Sequence, residues 1–121
     1  MKFLLVISLF FLSFISDFSE VCGNYYGEKE DYATEIRLYD DSTFRYTGKR
    51  EFPFEVSQGN WTLKGDTVVL NSVPCPDPEA LTHVPVRTYV LFTETKYFYK
   101  KNSITPVSKN KLLKGEVLQK E

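Results

Sequence analysis

From Asn24 to Val107 the chain is written in short runs that alternate bulky apolar with polar residues, each run stopped by turn-forming residues. A period of two sends successive side chains to opposite faces of a strand, so runs of this kind can bury one face only within a sheet. Thr34, Ile36 and Leu38 share one face and Glu35, Arg37 and Tyr39 the other, before Asp40-Asp41-Ser42 reads as a tight turn. Opposing Leu38 to Phe44 across that turn also opposes Ile36 to Tyr46, which puts all four on the same face. A second hairpin is still more explicit. Gln58 to Lys64 and Thr67 to Leu70 flank Gly65-Asp66, a two-residue loop whose leading glycine suits a type II′ turn. Opposing Lys64 to Thr67 sets Leu63 beside Val68 and Trp61 beside Leu70, with Val69 the exception on an otherwise polar outer face.

Prolines change the pattern over residues 73–86. Pro74, Pro76, Pro78 and Pro85 exclude a central strand and mark a long loop. Beyond it a third hairpin is expected, with Arg87 to Phe92 and Tyr97 to Lys100 on either side of Thr93 to Lys96. Lys101-Asn102-Ser103 then turns the chain into Ile104 to Val107. In the tail, Leu112, Leu113, Val117 and Leu118 fit a last strand as well as a helix weakened by Gly115. Successive hairpins of this length predict an all-β fold, a small antiparallel meander or lipocalin-like barrel. Its core would include Ile36, Leu38, Phe44, Tyr46, Trp61, Leu63, Val68 and Leu70.

Ahead of the β-rich part, Met1-Lys2 leads into Phe3 to Ile15, interrupted only by Ser8 and Ser13. One base, a short apolar stretch and a polar exit describe a secretory signal peptide, and the stretch falls short of the ~20 apolar residues of a membrane span. Processing after Ser16 or Ser19 leaves Phe14 or Asp17 at the −3 position, where a small residue is usual. Processing after Gly23 fits the pattern better, with Val21 there, but discards Cys22; an uncleaved segment would tether the domain to the membrane. The expected organisation is a signal segment over 1–19 (boundary between 16 and 23), a barrel-like domain over 20–107, and a lysine-rich strand or tail over 108–121. Such a protein belongs outside the cytoplasm, secreted or in a periplasm or cell envelope. There the only two cysteines, Cys22 and Cys75, are expected to pair, closing a loop worth about 4 kcal/mol on the chain-entropy estimate.

Charge and motifs exclude more than they assign. The net charge is −1, with seven lysines against three glutamates in residues 94–121 and ten acids against five bases in residues 17–59. That balance gives no argument for nucleic acid, and Tyr97-Phe98-Tyr99-Lys100-Lys101 reads as a cross-strand aromatic pair beside a solvated turn. The acid pairs Glu30-Asp31, Asp40-Asp41 and Asp77 with Glu79 fall in expected turns or loops, as does the sole histidine, His83. No CxxC pair, phosphate loop or nucleophile elbow appears. The expectation is therefore no enzyme, no metal and no cofactor. Asn60-Trp61-Thr62 matches the glycosylation acceptor pattern, but its place inside an expected strand and its bulky middle residue disfavour a glycan.

Gly23-Asn24-Tyr25-Tyr26-Gly27, Ile36-Arg37-Leu38 with Asp41-Ser42-Thr43-Phe44, Gly59-Asn60-Trp61 and Gly65-Asp66-Thr67 together resemble small lipocalin-like barrel proteins of bacterial envelopes. The likeness is to the N-terminal barrel of copper-resistance and surface-sensing outer-membrane lipoproteins, and it spans residues 23–71. Glu28-Lys29-Glu30-Asp31 stands in the stretch where that family carries its CxxC metal motif, and the lipobox is missing. The resemblance thus implies a barrel without copper binding or lipid anchoring. An exported, non-enzymatic module that binds a protein partner or serves the envelope structurally is the leading expectation. The alternative is a carrier of a small hydrophobic ligand, its mouth lined by Tyr46, Trp61, Tyr89 and Tyr99.

Overall fold

The computed structural model describes residues 18–29, 32–49, 54–75, 87–108, 111–112 and 116–121. One helical turn, α1 (Phe18–Val21), is followed by β1 (Gly23–Lys29), β2 (Tyr32–Leu38), β3 (Thr43–Lys49), β4 (Phe54–Lys64) and β5 (Thr67–Ser72). Then come β6 (Arg87–Tyr89), β7 (Thr95–Lys100), β8 (Ser103–Ser108), β9 (Lys111–Leu112) and β10 (Leu118–Lys120). Strands β1 to β5, then β7, β8 and β10, pair antiparallel in that order, and β10 returns to β1. The result is a closed eight-stranded barrel. Closure removes the sheet edges that an open meander would leave unpaired.

Local chemistry sets each register. At the first turn, Asp41 Oδ1 accepts from Thr43 N at 3.0 Å and from Thr43 Oγ1 at 2.5 Å. The Thr43 hydroxyl, then its amide, hold the exposed Asp41 carboxyl below the usual carboxylate range. Ile36 opposes Tyr46 and Leu38 opposes Phe44, the pairing read from the pattern. Gly65 takes φ 60° between β4 and β5, and Trp61 opposes Leu70 while Leu63 opposes Val68. Between β7 and β8, Lys101 (φ 47°) and Asn102 (φ 60°) supply the two left-handed residues of a type I′ turn. Strand β8 gives its outer edge to β10 at Ser103 and Ile104 and to β9 at Val107 and Ser108. Pro106, with no N–H to donate, lies between those stretches.

Two expectations are corrected. The third hairpin does not form: β6 pairs in parallel with the first residues of β4, and β7 pairs with β5 and β8. Phe92 leaves the strand instead and packs against the margin of the core, its ring 4.9 Å edge-on from Tyr46 and 6.0 Å from Phe44. The Phe92 backbone is fixed there by Ser72, whose Oγ accepts from Phe92 N and whose amide donates to Phe92 O, both at 2.8 Å. Nor do Cys22 and Cys75 form a disulfide. Cys22 enters β1 at one end of the barrel, whereas Cys75 follows β5 at the other end and four strands round the wall. A disulfide needs Cα atoms within about 7 Å, so the topology itself forbids this bridge.

The inward faces merge into one core of Val21, Tyr25, Ile36, Leu38, Phe44, Tyr46, Trp61, Val68, Leu70, Tyr97, Tyr99, Ile104 and Leu118. Leu63, expected among them, is half-buried and packs against their margin with Phe18, Cys22, Val90 and Phe92. Val69 is buried although it lies on the outer face.

Candidate functional site

The barrel has two unlike ends. At the end where β1 begins, with the turns after β2, β4 and β7, α1 lies across the opening. Val21 is fully buried, and the Phe18 ring stacks on Trp61 with centroids 4.3 Å apart and planes 2° from parallel. The turn is tied on every side. Tyr25 donates its hydroxyl to Val21 O at 2.5 Å, and Lys120 Nζ donates to Glu20 O at 2.7 Å. The Tyr99 hydroxyl has Glu20 Oε1 and Asn102 Oδ1 as acceptors, each at 3.2 Å. Beneath the stack, Trp61 Nε1 donates to Tyr39 O at 2.9 Å, so the one polar atom of the indole is satisfied where Trp61 is 1% exposed.

The opposite end carries polar groups on the inward register. Glu55 follows the same phase along β4 as Ser57, Gly59 and Trp61, which places its carboxylate inside the mouth. Tyr32 donates to Glu55 Oε2 at 2.9 Å and Tyr46 to the same oxygen at 3.1 Å, while the two hydroxyl oxygens lie 2.7 Å apart. Each phenol has one proton to give, so only two of these three contacts are hydrogen bonds at any instant. The carboxylate keeps lone pairs free. Gly48, opposite Glu55 on β3, makes the cluster possible, since a Cβ there would collide with both tyrosine hydroxyls.

Electrostatics distinguish the mouth further. Burial, then the Tyr32 hydroxyl and the Glu55 charge, push the Tyr46 phenol far above the ordinary tyrosine range. Tyr97, on the same upper half of the wall, is pushed up to about 12, chiefly by burial and next by Glu116. Both phenols stay protonated donors at neutral pH. The one ion pair between described residues, Arg37 with Glu35, is exposed on the outer face. Glu55 is therefore an inward carboxylate held by two phenols, with no cationic side chain among those described within ion-pair distance.

The four aromatics expected to line a mouth do not form one site. Tyr46 belongs to the polar end, whereas Trp61 and Tyr99 belong to the covered end. Tyr89 lies in the wall, where its hydroxyl meets Gln58 O at 3.0 Å and Val73 O at 2.5 Å and stitches β6 across the upper gap between β4 and β5. Tyr97 and Tyr99 are buried in the core and only Phe98 between them turns outward, half-buried, so the aromatic run on β7 offers no stacking platform. Asn60 and Thr62 are exposed on either side of buried Trp61. Asp40 and Asp41 form the first turn; Glu30, Asp31, Asp77, Glu79 and His83 lie outside the described residues, as does the signal segment up to residue 17.

Sequence reasoning missed Tyr32, Gly48 and Glu55. The available signal was phase: an acid at the i, i−2, i−6 positions relative to Ser57 and Trp61 faces the same way as the indole. Among the described residues no three His, Cys, Asp or Glu side chains gather as a metal site would require, and no helix is long and apolar enough to cross a membrane. Comparison with protein-family models, curated proteins and solved structures finds no match for this chain.

Proposed function

We propose that this chain is an exported, non-enzymatic barrel module that binds a protein partner at its polar mouth by taking a lysine or arginine side chain onto Glu55. The observation that carries the reading is the inward Glu55 carboxylate, fixed by Tyr32 and Tyr46 and lacking a cation among the described residues. A buried or half-buried carboxylate is costly unless paired, and a guanidinium or ammonium arriving from outside would supply the missing charge. Export rests on the amino-terminal sequence, and the likeness to envelope barrels extends only to the hairpin pattern. The burial of Tyr25, Phe44, Tyr46, Trp61, Tyr97 and Tyr99 in one core argues against the carrier alternative, because large side chains take up interior a hydrophobe would need.

Calorimetric titration of the exported protein with an arginine- and lysine-containing nonapeptide tests the reading. Binding that weakens with salt and is lost in Glu55→Gln is the expected result. Equal binding by Glu55→Gln would remove the mouth from consideration. Saturable, stoichiometric uptake of a naphthylamine probe would favour the carrier instead.

A further inference from the structure

The sequence admits processing after Ser16, Ser19 or Gly23, and the structure separates these choices. Phe18 is stacked on Trp61, Val21 is fully buried, and the backbone oxygens of Phe18, Glu20 and Val21 accept hydrogen bonds from Cys22 N, Lys120 Nζ and the Tyr25 hydroxyl. Two of those anchors, Tyr25 and Lys120, are on β1 and β10, strands whose pairing closes the barrel. We infer that Phe18–Cys22 is the plug of the barrel, retained in the mature chain, and that export processing cuts N-terminal of Phe18.

Cleavage after Ser19 would remove the ring that covers Trp61. Cleavage after Gly23 would remove the whole plug, exposing Trp61 and leaving the Tyr25 hydroxyl without its acceptor at a fully buried position. Only the cut after Ser16 leaves every one of these contacts intact. The inference rests on the export reading, since a chain that is never exported is never processed by this route. It also assigns the amino terminus of the mature protein to the end of the barrel remote from Glu55, which keeps the mouth clear.

The test is the intact mass of the full chain expressed in a secreting host and recovered outside the cytoplasm, together with Trp61 emission and melting. A chain that begins at Asp17, with blue-shifted Trp61 emission, is expected. Phe18→Ala in the same full chain should red-shift that emission and lower the melting midpoint by roughly 5–15 °C. An exported chain beginning at Glu20 or Asn24 overturns the inference and leaves export standing. An intact chain retained inside the cell overturns export and the processing step with it. Unchanged emission and melting in Phe18→Ala would overturn the plug itself, whatever the mature terminus proves to be.

Discussion

The covered end and the polar mouth are built from the same strands, yet they handle buried polar atoms in opposite ways. At the covered end the polar atoms of the core rings are met from within the chain: Trp61 Nε1 by Tyr39 O, the Tyr25 hydroxyl by Val21 O, and the Tyr99 hydroxyl by Glu20 Oε1 or Asn102 Oδ1. At the mouth, two phenols share one carboxylate oxygen, and the negative charge has no ion-pair partner among the described residues. The core between the ends is filled by packed side chains, so the mouth can carry groups whose balance awaits a second molecule. Stability on this view is concentrated at Trp61 and recognition at Glu55.

The largest effect should follow from emptying the covered end. Trp61→Ala removes a fully packed indole and a hydrogen bond, and is expected to destabilise by ~3–5 kcal/mol, read from urea unfolding by circular dichroism. A wild-type midpoint in that variant would break the division between the ends.

Alkaline unfolding comes next in size. The buried phenols of Tyr25, Tyr46 and Tyr97 are all raised, primarily by burial. Each contributes stability that is complete below the unfolded tyrosine value of about 10 and is lost as pH climbs toward the folded value. For Tyr97 that window ends at about 12, and its share is roughly 2–3 kcal/mol. Melting temperature should hold to about pH 10 and then fall, more gently in Tyr97→Phe. A flat profile through that window would mean that these hydroxyls are solvated.

Gly48→Ala probes the mouth alone. Its methyl group would drive the Tyr32 and Tyr46 hydroxyls away from Glu55, at a cost of ~1–3 kcal/mol, and should weaken peptide binding more than melting. The smallest effect belongs to a site remote from the mouth. Lys101 holds φ 47° without being glycine, so Lys101→Gly should raise stability by about 0.5 kcal/mol and leave binding untouched.

How much of this was legible in the sequence depends on the range of the interaction. Leu38 with Phe44 and Trp61 with Leu70 could be paired in advance because a tight turn fixes a register and alternation fixes a face. The third hairpin failed because Phe92 gains more from the rings of Tyr46 and Phe44 than from continuing a ladder, and no local pattern reports a partner some 46 residues away. Cys22 and Cys75 looked like a pair by arithmetic, but which wall and which end each occupies is decided by how the whole sheet closes. Phe18 sits beside an apolar leader and has no periodicity of its own, so its role in α1 as the cover of Trp61 appears only in three dimensions. Glu55 was readable from its phase on β4, though its two phenol partners come from other strands.

The division of labour between the ends is tested most directly by amide and side-chain NMR spectra of the protein during titration with the basic nonapeptide. The account predicts shifts confined to Tyr32, Tyr46, Gly48, Glu55 and their neighbours, with the Trp61 indole signal unmoved and the response abolished in Glu55→Gln. Shifts centred on Trp61 and Phe18, or a response that survives in Glu55→Gln, would contradict it.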